Sequence, residues 1–384
     1  MRWPAAYALR DSMRLEHLYI HVPFCTHICP YCAFYKHKND LPSMKAFIPA
    51  LKKEWAWAQR NFVLQPRTIY FGGGTPSALS VSQLENLFED WPWRSVEEFT
   101  FECNPATISP EKARLLKQIG VNRISLGAQS FHPESLKLLG RTHNAEQVRK
   151  TISILRETGF LNINIDLMFA LPGQTFEQWA GDLQLAVECE PNHLSCYNLN
   201  FEEDTAFFEK LQAGVWKTDD TLQRDCFLHT VDFLKENGIE MYEISNFAQP
   251  GFESIHNRAY WQGKDYLGFG PSACSTIGLE RWQNTSNTLL YSASIEQNGF
   301  STREKEPLSE QTRNQEKIFL GLRTKWGVPC EITHPWQSQI NSLIDENLAH
   351  IENSFLKLTP EGLLVADSIS EMFMENPSEN CCRE

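Results

Sequence analysis

Between residue 17 and about residue 245 short apolar runs alternate with longer amphipathic stretches, the pattern of repeated βα units around a parallel sheet. Apolar runs at 18–22, 68–71, 99–103, 123–126, 163–168 and 193–199 predict six strands. Stretches at about 43–60, 81–90, 110–119, 145–158 and 175–189 predict helices, several opened by Ser, Asn or Thr caps or by Ser-Pro. The pattern predicts an α/β fold: an open, partial, about six-stranded parallel β/α barrel (17–245), in which chemistry gathers at the carboxyl ends of the strands.

Beyond 245 the alternation gives way to an aromatic and glycine-rich connecting segment, 246–301. A charged stretch near 302–315 reads as a linker into a small, mainly helical, winged-helix-like domain over 302–372 that ends in a short hairpin. Residues 1–16 read as an N-terminal extension. Residues 373–384, with Cys381 and Cys382, read as a frayed tail.

The 384 residues exceed what one hydrophobic core serves, so one large and one small domain are expected. Hydrophobic residues make up 42% and charged residues 22%, without any apolar run near the length of a membrane span. The N-terminal residues lack an apolar region followed by a small-residue cleavage site, which predicts a cytoplasmic protein. A net charge of −13 argues against nucleic acid as the main partner.

Chemistry concentrates first in Cys25, Cys29 and Cys32, at C-x3-C-x2-C spacing. Three thiolates can hold three irons of a [4Fe–4S] cubane and leave the fourth open to an exchangeable ligand, which points to S-adenosylmethionine. The competing reading is structural zinc, with His21, His27 or His37 completing the site, but none stands at a second C-x2-C or H-x3-H spacing. Eleven cysteines, an odd number densest at metal-ligand spacing, fit a metalloprotein in a reducing compartment better than a disulfide scaffold. Cys103, Cys189, Cys196, Cys226, Cys274 and Cys330 read as small buried hydrophobes.

The other motifs each follow a predicted strand. Gly72-Gly-Gly-Thr75 permits close backbone approach, and without Gly-Lys-Ser/Thr it is no P-loop. Glu102 and Asp166 are carboxylates in otherwise apolar strands, to be matched either by Arg123 or Arg141 or by a cationic or hydroxylic ligand. Gln129 suits ribose or carboxylate recognition, and Arg141 a bidentate carboxylate. His256, Tyr260 and Trp261 form either a ring-binding surface or ordinary packing of a cap.

These residues, with Asn122–Phe131, Leu139–His143, Asp166–Thr175 and His256-Asn-Arg-Ala-Tyr-Trp261, resemble radical S-adenosylmethionine proteins related to oxygen-independent coproporphyrinogen III oxidase, in particular their haem-chaperone branch. The resemblance implies a [4Fe–4S] cluster on Cys25, Cys29 and Cys32. It implies adenosylmethionine against Tyr19, Tyr31, Gly73, Gly74, Thr75 and Glu102, with Gln129, Arg141 and Asp166 completing the pocket. It associates His256, Asn257, Tyr260 and Trp261 with haem binding. The oxidases carry a fourth cysteine where this chain has Phe34, and a longer extension before the first strand. Two functions follow from the resemblance. One is a haem chaperone delivering haem to respiratory membrane enzymes; the other is a coproporphyrinogen III dehydrogenase using a 5′-deoxyadenosyl radical, with an electron donor such as flavodoxin or ferredoxin.

Overall fold

The computed structural model describes residues 14–92, 95–302 and 304–374. All six expected strands are present: β1 (Arg14–Val22), β2 (Val63–Gly73), β3 (Glu98–Cys103), β4 (Arg123–Gln129), β5 (Asn162–Phe169) and β6 (His193–Asn198). They lie side by side in chain order and pair in parallel. Between them run α1 (Leu41–Asn61), α2 (Val81–Phe88), α3 (Pro110–Gln118), α4 (Pro133–Leu138), α5 (Ala145–Glu157) and α6 (Phe176–Glu188). Complete capping boxes start three of these: Ser80 with Gln83, Asn144 with Gln147 and Thr175 with Gln178.

The strands alternate strictly, as the two-residue period of a pleated strand requires. One set, including Ile20, Phe71, Phe101, Leu126, Ile165 and Leu194, is fully buried in the apolar core shared with the helices. The other set is polar: His17, Tyr19 and His21 on β1, Thr68 and Tyr70 on β2, Glu98 and Glu102 on β3, Asn164 and Asp166 on β5, His193 and Ser195 on β6. The concave side of the sheet is therefore a polar lumen.

The sheet extends beyond six strands. After α7 (Ala206–Gln212) and α8 (Asp220–Glu236) the chain adds a hairpin of β7 (Glu240–Glu243) and β8 (Asn246–Ala248), antiparallel beside β6. Further on, β9 (Leu267–Phe269) pairs in parallel with the opposite edge, on β1. The order is β9-β1-β2-β3-β4-β5-β6-β8-β7, and its two edges do not pair, so the barrel is open. Residues 246–301 thus contribute to the central sheet. They also form α9 (Ile255–Trp261), the strands β10 (Cys274–Ile277) and β11 (Glu280–Gln283), and α10 (Thr288–Asn298), which packs on α1.

Two expectations need correction. The charged stretch near 302–315 is not a linker: β12 (Glu304–Pro307) pairs with β11, and a helix over Glu310–Gly321 follows. Its charges line an exposed strand and helix face, where Arg281 pairs with Glu306 and Glu316. The C-terminal unit has the expected helices and hairpin (Ala349–Glu352 with Phe355–Leu358), joined by Val328–Pro329. It does not end there, because helices at Pro360–Leu364 and Ala366–Met372 return to the core and bury Phe373 against Trp336. Cys381 and Cys382 of the expected tail lie outside the described residues, as does most of the expected N-terminal extension.

Candidate functional site

The cysteine loop is pinned at its base and its middle. Phe24–Cys25 pairs in parallel with His37–Lys38, with backbone hydrogen bonds from His37 N to Pro23 O (2.9 Å) and from Asn39 N to Cys25 O (3.2 Å). Halfway round, Phe207 N on α7 donates to Pro30 O, and the Tyr31 and Phe207 rings meet at 6.0 Å. Lys36 Nζ donates to the carbonyls of Cys32 and Phe34. Cys25, Cys29 and Cys32 are thereby turned toward one cavity of about 370 Å³ at the carboxyl ends of β2 to β6.

The same cavity is lined by Tyr31, Gly73, Gly74, Thr75, Glu102, Gln129, Arg141 and Asp166, residues from six separate segments of the sequence. The glycine turn is locked onto the cysteine strand, because Gly74 N donates to Val22 O and Thr75 N to Phe24 O, both at 2.8 Å. A Cβ at Gly74 would lie 2.8 Å from the Val22 carbonyl, and one at Gly73 (φ +102°) 2.4 Å from the His21 ring. Glycine is required here by protein against protein, not only by ligand approach. Thr75 Oγ1 lies 3.5 Å from Cys25 Sγ. Gln129 adopts φ +69° at a bulge where β4 meets β5, a device that re-aims a side chain at a strand end.

Neither carboxylate is matched by an arginine. Arg123 donates instead to Asn162 Oδ1 and Phe252 O, and Arg141 to Gly127 O at 2.6 Å, with Arg141 Nη1 3.5 Å from Cys29 Sγ. Glu102 accepts from the Tyr70 hydroxyl at 2.7 Å; burial, reinforced by the charge of Asp166, pushes its carboxyl up to about 7. Burial likewise raises Asp166, which accepts from Asn164 Nδ2 (2.7 Å) and Ser125 Oγ (3.0 Å). Neither acid forms a salt bridge, although Lys36 and Arg141 share the cavity and the charge of Arg123 bears on Asp166, and two buried carboxylates so placed suit a cationic ligand.

The remaining expected residues stand elsewhere. Tyr19 does not line the cavity: it stacks on Tyr70 at 6.1 Å, and its hydroxyl donates to His21 Nδ1, since His21 Nε2 must donate to Tyr35 O. His256, only 1% exposed, lies on α9 at the amino-terminal end of the lumen, with its ring stacked on Tyr70 and its Nδ1 bonded to Thr68 Oγ1. Tyr260 packs edge-on against His256 and Tyr266, while Asn257, Tyr260 and Trp261 keep partial exposure. The three histidines considered for zinc do not converge: His21 is engaged as above, His37 bonds Thr288 Oγ1, and His27 stands exposed at the cavity mouth. Among the described residues no three His, Cys, Asp or Glu side chains gather closely enough to hold a single metal ion.

Comparison with known proteins bears on this geometry. The profile of the Radical SAM superfamily matches residues 19–186. The haem chaperone HemW of Lactococcus lactis is 36% identical over 93% of this chain and 96% of its own length, and HemW of Bacillus subtilis 34% identical over 94% and 99%. The chain belongs to the HemW family of radical SAM proteins. In fold it is similar to the coproporphyrinogen III oxidase HemN of Escherichia coli, with a TM-score of 0.81 at 24% identity over 96% of this chain and 92% of that one.

Membership in the HemW family implies a [4Fe–4S] cluster and adenosylmethionine, and the cavity fits both. Zinc binds sulfur at about 2.3 Å, so one ion would draw three thiols together more tightly than these lie. Separate corners of a cubane leave them apart. Burial pushes the Cys25 and Cys32 thiols above their ordinary range, and a bound metal would favour their thiolate forms. Phe34, where the related oxidases have a fourth cysteine, is 70% exposed at the cavity mouth. Sequence reasoning missed Tyr70 and Tyr197, which also line the cavity. Both lie two residues from a lumen-facing polar residue, Thr68 and Ser195, so the strand period carried the signal.

Proposed function

We propose that this chain is a haem chaperone: it binds haem and delivers it to respiratory membrane enzymes, with a [4Fe–4S] cluster on Cys25, Cys29 and Cys32 and adenosylmethionine beside it. The observation that carries the reading is the 36% identity spanning 96% of a curated haem chaperone. Phe34 supports it against the dehydrogenase alternative, because an exposed phenyl ring stands where those oxidases have a fourth cysteine. Gly73, Gly74 and Thr75 would hold the amino-acid end of adenosylmethionine, and Glu102 its positive charge. Gln129, Arg141 and Asp166 would hold the remaining polar groups. A cluster held there would supply one-electron chemistry to the ligand beside it. The protein's own share would be to exclude water around Tyr31 and Tyr70 and to keep two buried carboxylates, neither in a salt bridge, facing the ligand.

Haem would meet the partly exposed face of α9, formed by Asn257, Tyr260 and Trp261; His256 reaches it only if α9 turns outward from the lumen. A cytoplasmic protein receiving electrons from a flavodoxin or ferredoxin completes the proposal. Among the described residues no helix is long and apolar enough to cross a membrane. The test is titration of anaerobically reconstituted protein with haem, in parallel with coproporphyrinogen III. The expected result is a saturable haem spectrum near one equivalent without decarboxylation. Protoporphyrinogen IX formation without haem uptake would establish the dehydrogenase reading instead.

A further inference from the structure

A buried relay runs the length of the lumen and ends on Asp166. At its far end Ser254 caps α9, and the Ser254 amide donates to the Tyr242 hydroxyl at 3.2 Å. The Tyr242 hydroxyl lies 2.8 Å from His193 Nε2, His193 Nδ1 lies 2.7 Å from Asn164 Oδ1, and Asn164 Nδ2 lies 2.7 Å from Asp166 Oδ1. Tyr242 and His193 are 0% and 1% exposed, and Asn164 is 3% exposed, so water does not compete for these bonds.

The direction of every bond is fixed by the acid. A carboxylate only accepts, so Asn164 must present its amide nitrogen to Asp166 and its oxygen to His193. His193 Nδ1 therefore carries the proton, and a buried neutral imidazole then has a bare Nε2, which must accept from Tyr242. Tyr242 is free to donate because it accepts from the Ser254 amide. The same helix also braces the second acid, since the His256 ring stacks at 5.1 Å on Tyr70, whose hydroxyl donates to Glu102.

We propose that Tyr242 and His193, neither of which lines the cavity, are positioning residues for adenosylmethionine, acting by holding the Asn164 amide with its nitrogen toward Asp166. The proposal rests on the reading that the cavity takes that ligand. Without the Tyr242 hydroxyl, His193 is free to exchange tautomer and releases the Asn164 oxygen, so the amide is held only through its nitrogen, by Asp166, Ser125 Oγ (2.7 Å) and Ser195 Oγ (2.9 Å), and its grip on the acid loosens. Loss of the orienting bond corresponds to about a five- to tenfold loss of affinity.

The test is adenosylmethionine binding by reconstituted wild type, Tyr242→Phe, Asp166→Asn and the double variant, with His193→Gln as a second probe should Tyr242→Phe fold poorly. Tyr242→Phe is expected to weaken binding about five- to tenfold at unchanged cluster iron, and to change it less than about twofold when Asp166 is already Asn. An effect of equal size in both backgrounds, or none in the wild-type background, would overturn the relay. Absence of binding by the wild type would overturn the reading of the cavity, and the relay with it.

Discussion

Glu102 accepts one hydroxyl hydrogen bond, from Tyr70, and faces Asp166, and in the open cavity its carboxyl is pushed up to about 7. A cationic ligand favours the ionised form, so affinity for adenosylmethionine should be full above pH 7 and fall by up to about tenfold per pH unit below it. Glu102→Gln should bind weakly with this dependence removed, which a series of dissociation constants across that range will show. Gly73 presents a different constraint, a left-handed backbone with the His21 ring where a Cβ would stand. Gly73→Ala should lower stability by about 1–3 kcal/mol and weaken adenosylmethionine binding at least ~10-fold, read by denaturant unfolding and by titration. The cysteines, Glu102 and Asp166 were legible because a thiol triad and acids in apolar strands are chemically conspicuous. His193 and Tyr242 were not, since a histidine and a tyrosine in a strand look like ordinary core residues until the fold brings their polar atoms together.

At the scale of elements, strands β1 to β6 and helices α1, α2, α3, α5 and α6 were legible because each carries its own period or caps, whereas the six-residue α4, without a side-chain cap, was not. Helix α8 was not: its buried stripe includes Cys226 and Thr230 beside Phe227 and Leu234, so the apolar repeat is weak in sequence and completed by packing on α6. Strands β8 and β9 have three residues each, too few to show a period, and only the open edges of the sheet recruit them. Helix α1 is tied to this late segment by Glu54, which accepts from Gly270 N (2.8 Å), Asn284 Nδ2 (2.7 Å) and Tyr291 Oη (2.6 Å). Burial raises Glu54 from 4.5 to about 7. The folded value lies above the unfolded one, so this contribution to stability is complete below pH 4.5 and is lost as pH rises through about 7. Urea unfolding at both ends of that window should show the wild type's margin over Glu54→Gln shrinking as pH rises; a constant margin would mean that Glu54 does not titrate there.

Across the whole molecule, one polar lumen has two ends, the cysteine loop and both acids at the carboxyl ends of the strands and helix α9 at the amino ends, and the proposed function assigns a ligand to each. If haem engages α9 while adenosylmethionine occupies the cavity, each ligand must alter the other's affinity by the same factor, whatever its size. The proposed function depends first on a cluster that Cys25, Cys29 and Cys32 would hold with one position open to adenosylmethionine. The most direct test is the electron paramagnetic resonance spectrum of the reduced, anaerobically reconstituted protein with and without adenosylmethionine. The account predicts a [4Fe–4S] signal that adenosylmethionine changes and that is lost on replacing Cys25, Cys29 or Cys32 with alanine. A cluster signal indifferent to adenosylmethionine, or protein that takes up zinc in place of iron and sulfide, would contradict it.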